Sequence, residues 1–508
     1  MMGLEEPTQN KLFYTDFQLE SRIRQNHPLR KIAKVIDFSF ASEAVSECYG
    51  KNGNVSVPPP LILKLMLLLV FYNVRSEREL MSTLPERLDW LWFLGYDLDT
   101  SIPDHSVLSK ARTRWGSEVF QLFFERIVFQ CVEAGLVDGK KMFIDSSLID
   151  ANASKNSVID KQSLRTQISK RYKELESRLD DIQEKEKDRP HRVMNNRYIS
   201  TTDPEAGIFG KGKSTLCYKT HRAVEERSEV ITAVEVTAGD INEGQRLESM
   251  LKAHEKNTEI KVNTVVADSK YGTIENYLYC SENNIDGHMP DLKTKSARKK
   301  EKNAKHKIFP DIAFKYDPET DTYICPGNKR LKRKSLHATR SSSDYAASKK
   351  DCSLCELKSQ CTRNKVGRTV KRHFQQDVVN EMREKASSNR AKADIKKRQH
   401  LMERSFANAK RYGFDRARWR GLTRVSIQEF LVCCVQNIHA LIKQQPQPKR
   451  VAALALKPES YEISSYSANI VERIKNSLEK KVQIFCKNIR YLKFLLFFIK
   501  SDTEYDYA

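Results

Sequence analysis

Three acidic residues stand where a fold could bring them together around metal ions. The uncharged run Thr264-Val-Val-Ala leads directly into Asp268, which is typical of a buried strand that ends in a carboxylate before a glycine turn. The same pattern precedes Asp145, and a helix predicted over residues 398–410 carries Glu403. Carboxylates from two strand ends and a helix suit two hard divalent cations held over a phosphodiester.

The elements that would position these carboxylates alternate between strands and helices. Two strand candidates joined by a short charged turn come before the Asp268 strand, and a helix and a further strand follow it. The series predicts an α/β fold, a mixed sheet with helices on both faces. The predicted strands are 216–224, 229–237 and 285–289, and the predicted helices are 242–255, 273–283 and 430–442.

The N-terminal part is predicted to be helical. A triple proline at 58–60 opens dense apolar segments over 61–72, 74–84 and 88–94. Asp104 or Ser106 can cap a further helix that runs through Trp115. This helix carries three basic residues, Lys110, Arg112 and Arg114. A bundle with one basic helix is typical of a helix-turn-helix module on duplex DNA, and a structural role for the basic helix is the alternative.

The charge of the chain is concentrated in one segment. The net charge of +22 comes from 88 Lys and Arg against 66 Asp and Glu. Between Asp291 and Arg420 there are 36 basic and 15 acidic residues, which accounts for nearly all of the excess. Such a local field favours a polyanionic partner, whereas a basic surface kept for solubility would be spread along the chain.

Neither a membrane nor an export signal is expected. The longest apolar run, residues 61–70, contains Lys64 and is too short to cross a bilayer. The N-terminus lacks a basic region followed by an apolar one and a cleavage site. These features predict a cytoplasmic protein. In that compartment, a tight group among the eleven cysteines is more typical of metal binding than of disulfides.

Four of the cysteines form such a group. Cys352 and Cys355 have the spacing of a metal knuckle, and Cys325 and Cys361 could complete a tetrahedral site for a structural Zn²⁺. Residues 312–339 are too poor in apolar side chains to fold on a core of their own, which favours a metal. The alternative is four free thiols. Cys433 and Cys434 lie on an apolar helix and are expected to pack in a core.

A glycine-rich stretch, residues 207–214, formally satisfies the phosphate-loop pattern. That pattern requires a buried strand before it and a helix after it, whereas here a polar turn precedes it and a predicted strand follows. We therefore expect no nucleotide partner.

The predicted organisation has six parts. Within it, residues 156–194 carry apolar residues at spacings of three and four on a polar helix, which indicates a protruding arm. The parts are an N-terminal helical segment (1–57), a helical DNA-binding domain (58–135), the first part of the catalytic core (136–292), a basic cysteine-rich insertion (293–390), the last part of the core (391–443), and a linker and tail (444–508).

These motifs and their order resemble the DDE transposases of bacterial insertion sequences over most of residues 58–441. Residues 103–112 resemble the Pro-Asp segment of the family's helical domain, and residues 218–221 and 231–237 are similar to its second and third strands. Residues 143–152 resemble the first acidic motif of the family, and residues 267–272 match the second.

The third family motif has a glutamate followed seven residues later by a lysine. Glu403 and Lys410 fit it, and two helical turns put both on one face. The family often has a tyrosine and an arginine before the glutamate; Lys396 and Gln399 stand there instead, and Arg398 is one place away.

The resemblance implies an RNase H-like catalytic domain and metal-assisted phosphoryl transfer. Asp145, Asp268 and Glu403 would be catalytic and would bind two Mg²⁺, with Mn²⁺ as a substitute. The partners implied are double-stranded DNA, as terminal inverted repeats and as target, and further copies of the chain in a dimer or larger assembly at the nucleoid. The basic residues expected to contact DNA or phosphate are Lys410, Arg398, Arg404, Lys110, Arg112 and Arg114.

Other functions stay open at this point. One is an RNase H-like DNA nuclease without strand transfer, and another is a zinc-containing DNA-binding protein. An ATPase that uses the glycine-rich stretch is the remaining alternative.

Overall fold

The N-terminal apolar segments form a helical bundle, as predicted. The structure is a computed structural model that describes residues 2–3, 19–50, 54–160, 198–209, 215–291 and 308–444. The helices are α1 (Leu19–Arg22), α2 (Pro28–Val35), α3 (Phe40–Ala44), α4 (Pro59–Phe71), α5 (Glu77–Thr83), α6 (Leu88–Leu94), α7 (Ser106–Trp115) and α8 (Glu118–Glu133).

Local chemistry explains where two of these helices begin. Helix α4 starts at Pro59, because proline has no amide hydrogen to leave unpaired in a first turn, and nearly all of its side chains are buried. At α7, the Asp104 carboxylate accepts a hydrogen bond from the backbone N–H of Ser106 at 2.8 Å. One of the two predicted caps is therefore confirmed.

The chain after the bundle forms a mixed six-stranded sheet. Strand β5 lies between β1 on one side and β4 and β6 on the other, all antiparallel to it, and β1, β7 and β8 are parallel. The predicted mixed sheet is thus confirmed. The strands so far are β1 (Lys141–Asp150), β2 (Val158–Asp160), β3 (Tyr198–Ser200), β4 (Gly207–Phe209), β5 (Thr215–Glu225), β6 (Ile231–Ala238), β7 (Thr264–Val266) and β8 (Asp286–His288).

Helices cover both faces of this sheet. Successive side chains of a strand point to opposite faces, so Met142 and Ile144 join one core cluster and Phe143 joins the other. Helices α9 and α10 and a later helix α13 contribute to the first cluster, and α14 and α15 pack with the N-terminal bundle in the second. These helices are α9 (Leu247–Thr258), α10 (Ile274–Glu282), α13 (Gln376–Ala386), α14 (Asn389–Lys410) and α15 (Leu422–Gln444).

The second core cluster crosses the predicted domain boundary at 135/136. Helix α15 packs on α8 and α4 of the bundle and also on β6 of the sheet. By length and composition Leu422–Lys443 could cross a membrane, but 72% of that stretch is buried inside the protein, as in the core helix of a folded domain.

Residues 312–339, predicted to be too poor in apolar side chains for a core of their own, lie in a second sheet that later residues complete. Its five antiparallel strands have the order β13-β12-β11-β10-β9, and β12 and β13 come from beyond residue 339. A small cluster built mainly from tyrosine and phenylalanine fills one face. The elements are β9 (Lys315–Asp317), β10 (Thr322–Ile324), β11 (Arg330–His337), β12 (Ser342–Ala346), α11 (Lys349–Ser353), α12 (Lys358–Cys361) and β13 (Thr369–His373).

Three predicted features fall wholly or partly outside the described residues. Most of the arm predicted over 156–194 lies in residues 161–197, which are not described. The strands on either side of that segment, β2 and β3, pair antiparallel. Of the glycine-rich stretch, Gly207–Phe209 is the strand β4, so no phosphate-loop strand and turn begin there. The C-terminal linker and tail from residue 445 on are likewise outside the described part.

Candidate active site

Asp145 lies on β1, and Asp268 lies in the turn that follows the neighbouring parallel strand β7. Phe143 of β1 pairs with Val266 of β7, and each aspartate comes two residues further along its strand direction. Strand β1 runs on past Asp145, whereas β7 ends at Val266 and the chain turns through Asp268, whose carboxylate accepts the Lys270 N–H at 2.7 Å. Two of the three predicted carboxylates are therefore brought together.

Several charges act on the Asp145 carboxyl group. Burial raises its pKa, the Arg398 guanidinium and the backbone N–H of Ser146 lower it, and the negative charge of Asp268 raises it again. The net direction is upward. The contribution of Asp268 indicates that the two carboxylates are close enough to repel each other, as they would in a shared cation site.

Helix α14 delivers Arg398 to this pair of aspartates. The Arg398 guanidinium forms an ion pair with the Asp145 carboxylate, and only 10% of the arginine side chain is exposed. One turn earlier, Asp394 accepts a hydrogen bond from Lys141 Nζ at 2.7 Å and lies 2.8 Å from His288 Nδ1. These contacts fix α14 to β1 and β8.

Glu403 lies on α14 but away from the face that packs on the sheet. Its side chain is exposed and accepts a hydrogen bond from Gln399 Nε2 at 3.0 Å. Five residues of α-helix separate it from Arg398, which turns it by roughly 140° around the helix axis. Its convergence with the two aspartates therefore stays a prediction.

The basic residues predicted to contact DNA differ in their surroundings. Lys110 and Arg114 are exposed on α7, and Lys410 and Arg404 are exposed on α14, where they pair with Asp415 at 3.5 Å and Glu229 at 2.5 Å.

Arg112 requires a correction. It points into the protein, where it forms an ion pair with Glu77 and stacks over the Trp419 ring at 4.0 Å. Its side chain is 4% exposed, so it packs the bundle against the rest of the molecule and is not available to DNA. On a short helix the three basic residues looked equivalent, because sequence spacing did not reveal the acidic partner 35 residues upstream.

Tyr271 belongs to the site although no role was predicted for it. It is fully buried three residues after Asp268, and its hydroxyl has no hydrogen-bond partner among the described residues. Burial raises its pKa, and the charges of Glu243, Asp145 and Asp268 raise it further, so the hydroxyl stays protonated as a donor. Its position in the same turn as Asp268 is the signal that could have identified it.

The two aspartates are suitable donors for a divalent cation. Carboxylate oxygens are the ligands that Mg²⁺ prefers, and both aspartates are partly exposed. Across the residues that the structure describes, no three His, Cys, Asp or Glu side chains form a metal site that is already assembled.

The four cysteines predicted to bind zinc are brought together in the second sheet region. Cys325, Cys352, Cys355 and Cys361 all line one cavity of about 30 Å³. Cys433 and Cys434 are buried in α15, in the core cluster where they were predicted to pack.

Two family models match the chain. Residues 17–114 match the transposase domain DUF772, and residues 324–442 match a transposase DDE domain. The first covers the helices from α1 to α7, and the second covers the four cysteines, α14 and α15. Asp145 and Asp268 lie between the two matched stretches, so their role rests on geometry and on the motifs around them.

Other comparisons add little. No curated protein matches the sequence. A solved structure of the piggyBac transposase synaptic complex with hairpin DNA aligns over 83% of each chain at 10% sequence identity, with a TM-score of 0.26. A TM-score of that size does not establish a shared fold. Residues 17–114 and residues 324–442 thus each match a transposase domain, in this order and with the predicted mixed sheet between them.

Proposed function

We propose that this chain is a DDE transposase that cuts DNA at the ends of its own element and joins those ends to new DNA, with divalent cations held at Asp145 and Asp268. The observation that carries the proposal is the placement of Asp145 on β1 and of Asp268 directly after the adjacent parallel strand β7, close enough for the charge of Asp268 to raise the pKa of Asp145. The transposase domains on either side of them in the sequence agree with it.

The arrangement of the sheet supports an RNase H-like core. Three antiparallel strands, β6, β5 and β1, continue into two parallel strands, β7 and β8, each reached through a helix. Asp145 lies on the central strand β1, and Asp268 follows the next strand of the parallel part.

The side chains around the site have separable tasks in this proposal. Asp145 and Asp268 would hold two Mg²⁺, or Mn²⁺, and Glu403 would complete the set from α14. Bound cations would supply the charge that activates an attacking water or 3′-hydroxyl and stabilises the leaving oxygen. Arg398 would exchange its ion pair with Asp145 for a phosphate oxygen of the DNA.

The exposed basic residues would hold the DNA. Lys410 and Arg404 lie on the same helix as Glu403 and would contact backbone phosphates beside the reacting one, and Lys110 and Arg114 on α7 would bind duplex DNA further away. Terminal inverted repeats, a dimer or larger assembly and a nucleoid location complete the proposal. Cutting two ends at once requires two sites, hence more than one copy.

The proposal is tested with the full chain and a duplex that carries the inverted repeats flanking its coding sequence. We expect cleavage at the repeat end that requires Mg²⁺ and not ATP, followed by joining to a second DNA. Cleavage without joined products would make the protein a nuclease. Sequence-specific binding with no cleavage in either Mg²⁺ or Mn²⁺ would contradict the catalytic role and leave a DNA-binding protein.

A further inference from the structure

Four cysteines from three separate pieces of chain meet beside the second sheet. Cys325 directly follows β10, Cys352 lies in α11, Cys355 follows that helix, and Cys361 ends α12. All four line a cavity of about 30 Å³, roughly the share of volume that one water molecule takes in the liquid. The space therefore suits a single small ion.

The local backbone keeps the sulfur atoms close together. A Cβ atom placed on Gly327 would lie 3.6 Å from Cys355 Sγ and 3.7 Å from Cys325 Sγ, so both sulfurs lie near one point. Gly367 approaches Cys352 Sγ in the same way, at 3.0 Å from its Cβ position. The contacts at Gly327 are ordinary van der Waals distances, whereas at Gly367 a larger residue would press on the Cys352 sulfur.

The turn after Cys325 holds the sulfur atom in place. Residues 325–329 close on themselves through two backbone hydrogen bonds, and the Lys329 N–H donates a further hydrogen bond to Cys325 Sγ at 3.3 Å.

Positive charge surrounds the same cavity. Lys329, Lys358 and Arg368 line it with the cysteines, and Arg368 also donates a hydrogen bond to the backbone carbonyl of Cys361 at 3.2 Å. Asp351 lines the cavity as well, and Arg368 is paired with Asp311 at 2.6 Å, so the positive excess is small. Its sign is the one that offsets the net charge of about −2 on a divalent ion held by four thiolates.

The small sheet also has a reason to need a metal. Its buried cluster contains only Phe314, Tyr323, Leu331, Tyr345 and Val370, while Cys325 and Cys361 pack at its edge. A core of that size gives little stability by itself, and small domains of this kind often depend on a structural metal.

We propose that Cys325, Cys352, Cys355 and Cys361 bind one Zn²⁺ in a closed tetrahedral site that anchors α11 and α12 to the second sheet. As they stand, no three of the described His, Cys, Asp and Glu side chains form a group that could hold a metal. The cysteine side chains would therefore have to turn toward one another to reach the Zn–S distance of about 2.3 Å.

The test measures metal directly, in the purified full chain and without DNA. We expect one zinc per chain by elemental analysis. Replacement by Co²⁺ should give the sulfur-to-cobalt charge-transfer absorption and the strong visible bands of a tetrahedral tetrathiolate. Zinc removal by a chelator should make residues 308–373 sensitive to protease, and zinc should reverse this.

Single substitutions distinguish loss of the metal site from loss of the overall fold. Cys355→Ser should lower the bound zinc and weaken the cobalt bands, whereas Cys355→His should keep the metal with shifted bands, because histidine is also a zinc ligand. Cys48→Ser, at an exposed cysteine outside the cavity, is the matched control and should behave like the parent.

Two results would overturn the proposal. One is a parent chain that retains no zinc and shows no cobalt–sulfur absorption. The other is a disulfide between any two of the four cysteines in protein prepared under reducing conditions. Because no DNA reaction enters the test, these results leave the proposed transposition chemistry unaffected.

Discussion

Tyr271 places a hydroxyl group beside two aspartates without a hydrogen-bond partner among the described residues. A buried donor left unpaired costs free energy, so such a group persists where a ligand completes it. Because the side chain is fully buried near Glu243, Asp145 and Asp268, we expect that ligand to be a water oxygen.

Replacing this hydroxyl tests that interpretation. Tyr271→Phe keeps the ring and removes the donor, so we expect cleavage to fall about ten-fold, the worth of one hydrogen bond to a charged group. The melting temperature should stay the same or rise, because no protein hydrogen bond is lost. A large fall in melting temperature with unchanged cleavage would show that the hydroxyl is structural.

His221 on β5 gives a prediction about pH. Burial and neighbouring positive charges lower its pKa to about 3, and its ring lies 3.0 Å from Thr237 Oγ1. The folded protein therefore keeps the ring neutral, while the unfolded chain takes up a proton below about pH 6.5. Because the pKa of His221 is lower in the folded protein than in the unfolded chain, the protein loses stability as the pH falls below about 6.5.

His221→Gln should remove this loss. Between pH 7 and pH 5 the parent should lose about 2 kcal/mol more unfolding free energy than the variant, a difference visible in denaturant titrations at the two pH values. Thr237→Val, which removes the hydroxyl beside the ring, is a control that should keep most of the pH dependence. An identical pH dependence in parent and His221→Gln would contradict the assignment.

Among the helices and strands, α14 differs most between the prediction and the structure. The helix itself was predicted over 398–410 and extends from Asn389 to Lys410. The rotation of α14 about its axis was not predictable from residue spacing. The ion pair of Arg398 with Asp145 and the hydrogen bond of Asp394 with Lys141 determine which face of the helix packs on the sheet. Those partners are far away in sequence.

Because this rotation of α14 turns Glu403 away from the sheet, its role in the cation site is tested separately. If it joins the cation site, Glu403→Gln should lower cleavage by at least about a hundred-fold and leave DNA binding intact, since one neutral amide replaces a ligand. Glu384→Gln, at an exposed glutamate on α13, should cleave like the parent. Parental cleavage by Glu403→Gln would remove it from the site without touching Asp145 or Asp268.

The positions of apolar residues along the sequence were the most reliable guide to the fold. The strands around Asp145 and Asp268 have unbroken apolar runs because both of their faces are covered, and the hairpin of β5 and β6 was located within two residues. The second sheet was missed because its strands are mostly short and polar, and its buried cluster is small and more aromatic than aliphatic.

At the scale of the whole molecule, the helical bundle and the catalytic part share one core. Arg418, in the loop after α14, donates hydrogen bonds to Val74 and Asn73 of the bundle, and the neighbouring Trp419 ring lies under Arg112. The sequence predicted a separate DNA-binding domain here, since contacts between segments 300 residues apart leave no local pattern.

The contrast between two residues of α7 tests this arrangement. Arg112→Ala leaves the buried Glu77 carboxylate unpaired and should cost about 3 kcal/mol of stability, measured by thermal or denaturant unfolding. Lys110→Ala, at an exposed position on the same helix, should leave stability unchanged and weaken DNA binding by a few-fold. The reverse pattern would place Arg112 on DNA after all.

The claim on which the rest depends is that Asp145 and Asp268 bind the same divalent cations. Titration of Mn²⁺ into the parent chain, Asp145→Asn, Asp268→Asn and the double variant, followed by calorimetry, tests it without any DNA. We predict that each single variant loses affinity by about ten-fold or more and that the double variant loses far less than the product of the two. Parental affinity in either single variant, or independent and fully multiplicative losses, would contradict a shared site.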